Sequence, residues 1–128
     1  MTPNTHLGIN PTLCGTPVSL AEGTATVTLA TTPQMAADER GLVHGGFVFG
    51  LADYAAMLAV NDPNVVLGAA ETRFTAPVAV GQSVTAVATC QAIKGRKHTV
   101  AVECSVDERV VMTGTFTTFV LDQHVLGA

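Results

Sequence analysis

Residues 42–61 have the sequence LVHGGFVFGLADYAAMLAVN, and this stretch determines the fold class. Between Arg40 and Asp62, the only residue with a formal charge is Asp53. The stretch predicts a helix over about residues 46–60 that is apolar on almost every face, which is typical of a helix surrounded by protein. Asp53 would then be a carboxylate inside a core, where a charged group needs a partner or a chemical task.

Strands are predicted on both sides of this helix. Residues 23–31 alternate threonine with Ala25, Val27 and Leu29, which is the two-residue period of a strand with one buried face. Four further strands are predicted at residues 65–77, 82–93, 98–107 and 109–121. This order is α+β, and a single antiparallel sheet of five or six strands curling around the helix would bury it.

The segments between these elements carry turn residues. Residues 1–12 are expected to form an irregular arm, residues 13–18 a short extended piece and residues 32–40 a loop. Pro63 disfavours helical geometry in the residue before it and is expected to end the helix.

Composition limits the class of protein. The 128 residues fit one domain, 1–128. Charged residues make up 12% of the chain, about half the usual share, which favours a subunit that hides surface by oligomerising. The net charge of −4 argues against nucleic-acid binding. A membrane span is not expected, because residues 42–61 contain Asp53, His44 and three glycines.

The cysteines indicate the compartment. Cys14, Cys90 and Cys104 are odd in number and lack metal-type spacing, so they are expected to be reduced packing residues and no metal site is predicted. The N-terminus shows no basic residue followed by an apolar stretch, so no secretory signal is expected. Both observations favour the cytoplasm.

Three motifs carry a family resemblance. They are His44-Gly45-Gly46, Leu51-Ala52-Asp53 in the same helix, and Phe74-Thr75-Ala76-Pro77 before Gly81. With them, the sequence resembles the hot-dog thioesterase superfamily, in the branch of the phenylacetate-pathway (PaaI-like) acyl-CoA thioesterases. The resemblance implies a hot-dog fold, an antiparallel sheet wrapped around one long central helix. It also implies hydrolysis of an acyl-CoA to free acid and CoA without a cofactor.

The resemblance also implies site residues. In that family, the backbone N–H of the glycine after the histidine serves as an oxyanion hole and the acid drives attack on the thioester. Carried over, Gly45 has the first role and Asp53 the second, as general base or as nucleophile. His44 is expected to order the loop that enters the helix, with contact to the thioester as a second role.

The spacing of Gly45 and Asp53 predicts the assembly. Eight helical residues place them about 12 Å apart along the axis, too far to serve one carbonyl. If two such helices lie antiparallel, Gly45 of one chain lies level with Asp53 of the other, which gives two sites related by a twofold axis. We therefore expect an obligate homodimer, with a dimer of dimers as the full assembly. The resemblance implies sites at the dimer interface as well.

Several other residues are candidates for substrate binding. Gly46 would let a ligand approach the helix start closely. Asp38 stands six residues before His44, where many relatives carry an asparagine. Arg73 shares a strand face with Glu71, which favours a solvated ion pair. The turn residues Lys94, Arg96 and Lys97 form either an exposed hairpin tip or a contact for the phosphates of CoA.

Two alternative functions remain open at this point. One is a hot-dog protein that binds acyl-CoA without turnover, and the other is a hot-dog dehydratase, whose motifs differ from those here. The segment GGFVFGLADYA also resembles fluoroacetyl-CoA thioesterases, whose acid is a glutamate. A threonine stands there in place of Gly45, so that specificity is not expected to transfer.

Overall fold

The computed structural model describes residues 1–127 and confirms the predicted α+β class. Two helices and six strands follow one another as α1 (Pro11–Cys14), β1 (Thr16–Ala21), β2 (Thr24–Ala30), α2 (Gly45–Val60), β3 (Val65–Phe74), β4 (Ser83–Lys94), β5 (Lys97–Val106) and β6 (Arg109–Val120). A short 3₁₀ turn, Pro33–Met35, lies in the loop before α2. All strand pairs are antiparallel, and the single sheet has the order β1-β2-β4-β5-β6-β3. This is the hot-dog arrangement.

The strands bury the apolar faces that their sequence period predicts. In β2, Ala25, Val27 and Leu29 are buried, while the intervening threonines are only half-buried. The same alternation continues in β4 and β5, where alanine and valine side chains face α2. On β6, Phe116 is fully buried, and its ring lies 5.5 Å from that of Phe49 on the helix. The helix and the sheet therefore share one core.

Helix α2 is buried on most of its surface, but not on all of it. Leu51, Ala52 and residues 54–59 are buried against the sheet. Gly46 is exposed, and Gly50 and Asp53 are only half-buried. These three residues are spaced at i, i+4 and i+7, so they lie on one face of the helix. We call this face the open stripe. The expectation that the sheet alone would surround the helix is therefore wrong, because a single sheet leaves this stripe uncovered.

The N-terminal segment is more ordered than its composition suggests. Asn10 caps α1 by accepting the Thr12 N–H, and Pro11 occupies the first turn. The predicted extended piece at 13–18 is wrong at its start, because Leu13 and Cys14 belong to α1. Gly15 then adopts φ +108°, which ends the helix and lets β1 begin.

The first residues fold back onto the C-terminal end of α2. The Asn4 N–H donates to Asn61 Oδ1 at 2.7 Å, and Asn61 Nδ2 donates to the carbonyl of Thr2 at 3.0 Å. Asn61 is itself the left-handed residue that ends α2, with φ 55°. One side chain thus holds the arm against the end of the central helix.

The helices are short, and the cysteine thiols are free. Within residues 1–127, none of the helices has the length and apolar content that crossing a bilayer requires. Cys14, Cys90 and Cys104 are free thiols, and Cys104 is fully buried in the core.

Candidate active site

The first turn of α2 offers one free backbone donor. The Gly46 N–H donates to His44 Nδ1 at 2.9 Å, and the Phe47 N–H donates to the His44 carbonyl at 3.1 Å. Among residues 1–127, the Gly45 N–H donates to no acceptor. It lies at the positive end of the helix dipole, where an anionic oxygen is stabilised. This position suits the oxyanion role that the family resemblance implies for Gly45.

His44 is the N-cap of the helix. Because Nδ1 accepts the Gly46 N–H, the neutral ring carries its proton on Nε2, which leaves Nε2 as the atom that can meet a substrate. Gly46 is required by this cap, since a Cβ at that position would lie 2.8 Å from His44 Nδ1. Gly46 therefore makes room for the cap, and His44 orders the entry to the helix.

An apolar pocket of about 360 Å³ lies beside Gly45, and we call it the Gly45 pocket. The ring of Phe74 covers Gly45 so closely that an added Cβ would lie 3.3 Å from its Cε1 atom. Phe74 is nevertheless 55% exposed, since no element within residues 1–127 covers its other face. The other lining residues are Leu42, Val43, Val48, Thr75, Ala76, Pro77, Val78 and Val111.

Asp53 lines a second pocket of about 380 Å³, which we call the Asp53 pocket. Its Oδ1 atom is buried and has no hydrogen-bond partner among residues 1–127. Burial raises the pKa of Asp53 from its ordinary 3.8 to about 6, because the charged form loses hydration. The carboxyl is therefore mainly ionised at neutral pH yet close enough to its pKa to exchange a proton.

Gly45 and Asp53 are not brought together within one chain. They line separate pockets that share no residue. Both belong to one continuous helix, so the separation of about 12 Å along its axis holds. Within one chain, the two residues are therefore too far apart to contact the same carbonyl.

Asp38 serves its own loop. Its Oδ1 atom accepts the N–H groups of Arg40 and Leu42 at 3.0 and 3.1 Å, which shapes the turn that leads to His44. Asp38 faces a third pocket, shared with Arg40 and Arg109, and lines neither the Gly45 pocket nor the Asp53 pocket.

The predicted basic residues stand apart from both pockets. Lys94, Arg96 and Lys97 are exposed at the β4–β5 turn, and Arg96 forms an ion pair of 2.5 Å with Asp122. Arg73 lies on an exposed surface of β3. The expected Glu71–Arg73 ion pair is wrong, because the one salt bridge within residues 1–127 is that of Arg96. Both side chains extend into solvent instead.

Sequence reasoning missed the residues that wall the Asp53 pocket. Thr5 and His6 come from the N-terminal arm, Asn64 from the turn after α2, and His124 from the segment after β6. They are far apart in sequence and share no motif, and only the folding back of the arm collects them. Within residues 1–127, no group of three His, Cys, Asp or Glu side chains is placed to hold a metal ion.

The family model described as FlK, fluoroacetyl-CoA-specific thioesterase, matches residues 56–124, which is more than half of the chain. The chain belongs to this family of hot-dog thioesterases. The matched segment begins after Asp53, so it includes neither Gly45 nor Asp53. The resemblance to the hot-dog thioesterase superfamily is thereby confirmed.

Solved structures agree with the family. An uncharacterized protein from Pyrococcus horikoshii is 51% identical with a TM-score of 0.97, covering 98% of this chain and 97% of its own. The PaaI protein from the phenylacetic acid degradation operon of Escherichia coli is 26% identical with a TM-score of 0.80, covering 88% and 83%.

One relative carries a name that does not describe a thioesterase. The methylthioribose-1-phosphate isomerase of Aquifex aeolicus is 52% identical over 124 residues, which is 96% of this chain. The chain spans only 27% of the length of that protein.

The N-cap of α2 can be tested by substitution. We expect His44→Ala to lower the free energy of unfolding by about 1 kcal/mol, because the Gly46 N–H loses its acceptor. His44→Asn should retain most of the stability, since an asparagine oxygen caps equally well. Urea denaturation of the three proteins measures the difference. An alanine variant as stable as the wild type would contradict the capping role.

The buried carboxylate predicts a pH-dependent stability. The native state holds the Asp53 proton more tightly than the unfolded chain, so the stability that protonation gives is present below about pH 3.8 and is lost as the pH rises to about 6. We expect Asp53→Asn to be more stable at pH 7.5 by up to about 3 kcal/mol, an upper limit because the side chain is partly hydrated. The difference should shrink as the pH falls from 6 toward 3.8. Urea denaturation across this range would contradict the assignment if the difference were independent of pH.

Proposed function

We propose that the protein is an acyl-CoA thioesterase whose active site is shared between two chains. The proposal rests mainly on one observation: among residues 1–127, neither the Gly45 N–H at the start of α2 nor the buried Asp53 Oδ1 atom in the open stripe has a hydrogen-bond partner. An antiparallel second helix brings the two together. Membership of the thioesterase family supports the reaction class.

The proposed chemistry is hydrolysis with Asp53 as general base. The Asp53 carboxylate removes a proton from a water molecule, and the water oxygen bonds to the thioester carbon. The carbonyl oxygen becomes an oxyanion that accepts the partner's Gly45 N–H. The C–S bond then breaks, and the leaving thiolate takes the proton from Asp53. A pKa of about 6 lets one carboxyl accept and return that proton near neutral pH.

The oxyanion interaction is the main source of rate in this scheme. A donor fixed in a dry site contributes roughly 3 to 4 kcal/mol of transition-state stabilisation. The His44 cap fixes the first turn, so the Gly45 N–H needs no reorganisation as charge develops. The Phe74 ring and the apolar Gly45 pocket limit water at this donor, which strengthens the interaction.

The surface of the chain supports a homodimer. Gly50 lies in the open stripe, and a Cβ added there would meet nothing within 4 Å, so a second helix could approach closely. Strand β3 is an edge strand, and its residues 68–71 are exposed although they alternate between the two faces. Pairing β3 with β3 of a second copy would extend the sheet and set the two α2 helices side by side. A dimer of dimers is proposed as the full assembly.

The family and the pockets support a proposal for the substrate class. We propose a CoA thioester whose acyl and pantetheine portions occupy the apolar space around Gly45 and Asp53. Lys94 and Lys97 have no ion-pair partner among residues 1–127. We propose that they bind the phosphates of a CoA molecule held in the active site of a neighbouring chain or dimer. Fluoroacetyl specificity is not proposed, since Gly45 and Asp53 replace the threonine and glutamate of those enzymes. The isomerase activity named for the Aquifex relative is not proposed either.

The activity test uses Asp53→Asn, which keeps the shape of the side chain. Screening released thiol over short, branched, aromatic and long acyl-CoAs first identifies a substrate. We expect the wild-type kcat/KM to rise with pH through about 6, where Asp53 ionises, and Asp53→Asn to lower kcat by at least about 10²-fold. Circular dichroism confirms that the variant is folded.

Other results would favour other functions. A folded Asp53→Asn protein with wild-type turnover would contradict the mechanism. Tight acyl-CoA binding without thiol release across the panel would favour a binding protein. Enoyl product from a 3-hydroxyacyl-CoA would favour a dehydratase.

A further inference from the structure

The Asp53 pocket has a wall that the proposed chemistry leaves unused. Thr5 and His6 of the N-terminal arm form part of this wall, next to Asp53 and Met57 of α2. The arm is fixed by the two hydrogen bonds between residues 2–4 and Asn61. The C-terminal end of α2 therefore also positions His6, because Asn61 holds the arm.

His6 has an unusual backbone conformation. Its φ is +56°, in the left-handed region that residues other than glycine rarely occupy. Such conformations persist where the surrounding contacts hold them, and they cluster at functional sites. Two contacts hold His6 in this conformation: the neighbouring Thr5 is buried, and the His6 ring lies 6.3 Å from the ring of Tyr54. The arm thus holds the imidazole in one place.

One nitrogen of the ring is already engaged. His6 Nδ1 and Thr5 Oγ1 are 2.8 Å apart, a hydrogen-bond distance. His6 Nε2 has no partner within residues 1–127, so it is the atom that a ligand in the pocket can use. If the Nδ1 proton is donated to Thr5, Nε2 is an acceptor. The pocket then contains two acceptors that lack a donor, His6 Nε2 and Asp53 Oδ1.

We propose that His6 is a further catalytic residue, which holds the attacking water together with Asp53. The inference rests on the proposed thioesterase function. A water molecule has two protons, and it would donate one to Asp53 and the other to His6 Nε2. Its lone pair is then directed at the thioester carbon. Asp53 alone takes the proton, and His6 keeps the water oriented.

This arrangement requires two deprotonated groups, because a protonated imidazole has no acceptor. Burial lowers the pKa of His6 from its ordinary 6.5, which keeps the ring neutral at neutral pH. The groups that face it are Asp53 and Tyr54 of α2 and His124 of the C-terminal segment. Cys14 lies near Asp53 and Tyr54, and burial raises the pKa of the Cys14 and Tyr54 side chains, so both stay neutral. Activity should thus rise with pH more steeply than one group allows.

The test compares His6→Phe, His6→Gln and Thr5→Val with the wild type on its best acyl-CoA. Phenylalanine keeps the ring packing on Tyr54, and glutamine keeps an acceptor oxygen. We expect His6→Phe to lower kcat by about 10²-fold with KM little changed, and His6→Gln to recover part of the loss. Thr5→Val should give an intermediate loss. His98→Gln on β5, which lines neither pocket, should match the wild type.

The pH profile separates catalysis from structure. On a plot of log kcat/KM against pH, the wild type should approach a slope of 2 on the acidic side, and both His6 variants a slope of 1. Wild-type kcat in His6→Phe would overturn the proposal. Equal losses in both variants with the wild-type slope retained would also overturn it, since His6 would then be purely structural.

The Asp53→Asn variant separates this proposal from the proposed function. If Asp53→Asn is inactive in either case, the proposed function survives. If Asp53→Asn remains active, the proposed function itself fails.

Discussion

The structure depends on how helix α2 is covered. Its sequence is apolar on nearly every side, so each face must be removed from water. The sheet covers the faces that carry Leu51 and residues 54–59, but six strands ending in the exposed edge β3 leave the open stripe. The stripe contains two glycines and one carboxylate, a surface suited to close approach of another helix. The incomplete covering of one helix thus links the fold, the proposed dimer and the proposed site.

The Asp53 carboxylate shows the cost of this arrangement. Desolvation destabilises its charged form, and no hydrogen bond within residues 1–127 compensates Oδ1. A protein selected for stability alone would carry an apolar or amide side chain at this position. The same desolvation moves the pKa of the carboxyl to about 6, where it can serve as a base near neutral pH. The protein thus loses stability at the position where the proposed chemistry needs a base.

Much of the fold could be predicted because its signals are local. The apolar run of residues 42–61 predicted α2 to within one residue at its start, and the alternation at residues 23–31 predicted β2. Gly45 and Asp53 could be selected as candidates because the family resemblance gives roles to a glycine and an acid in one short segment. The helical rise then showed that the two residues are separated within one chain. The expected roles of these residues stay predictions until activity is measured.

The remaining features depend on contacts between distant residues. No local pattern shows that Asn61 holds the arm, that His6 has a positive φ, or that Thr5 is buried beside the pocket. The ion pair expected for Glu71 and Arg73 was wrong because a shared strand face does not fix where long side chains extend. The ion pair that does form joins Arg96 to Asp122, which follows β6 and is 26 residues away in the sequence.

The central claim is that each site uses Gly45 of one chain and Asp53 of the other, and mixed dimers test it most directly. Proline is tolerated at the first helical position and lacks an N–H, so Gly45→Pro removes the proposed donor while keeping the helix. Gly45→Pro and Asp53→Asn should each be inactive. When the two are unfolded together and refolded as a mixture, half of the dimers combine both chains, and each of these has one intact site. The account predicts recovery to about a quarter of wild-type activity. Two inactive variants that stay inactive after mixing, although mixed dimers form, would contradict it.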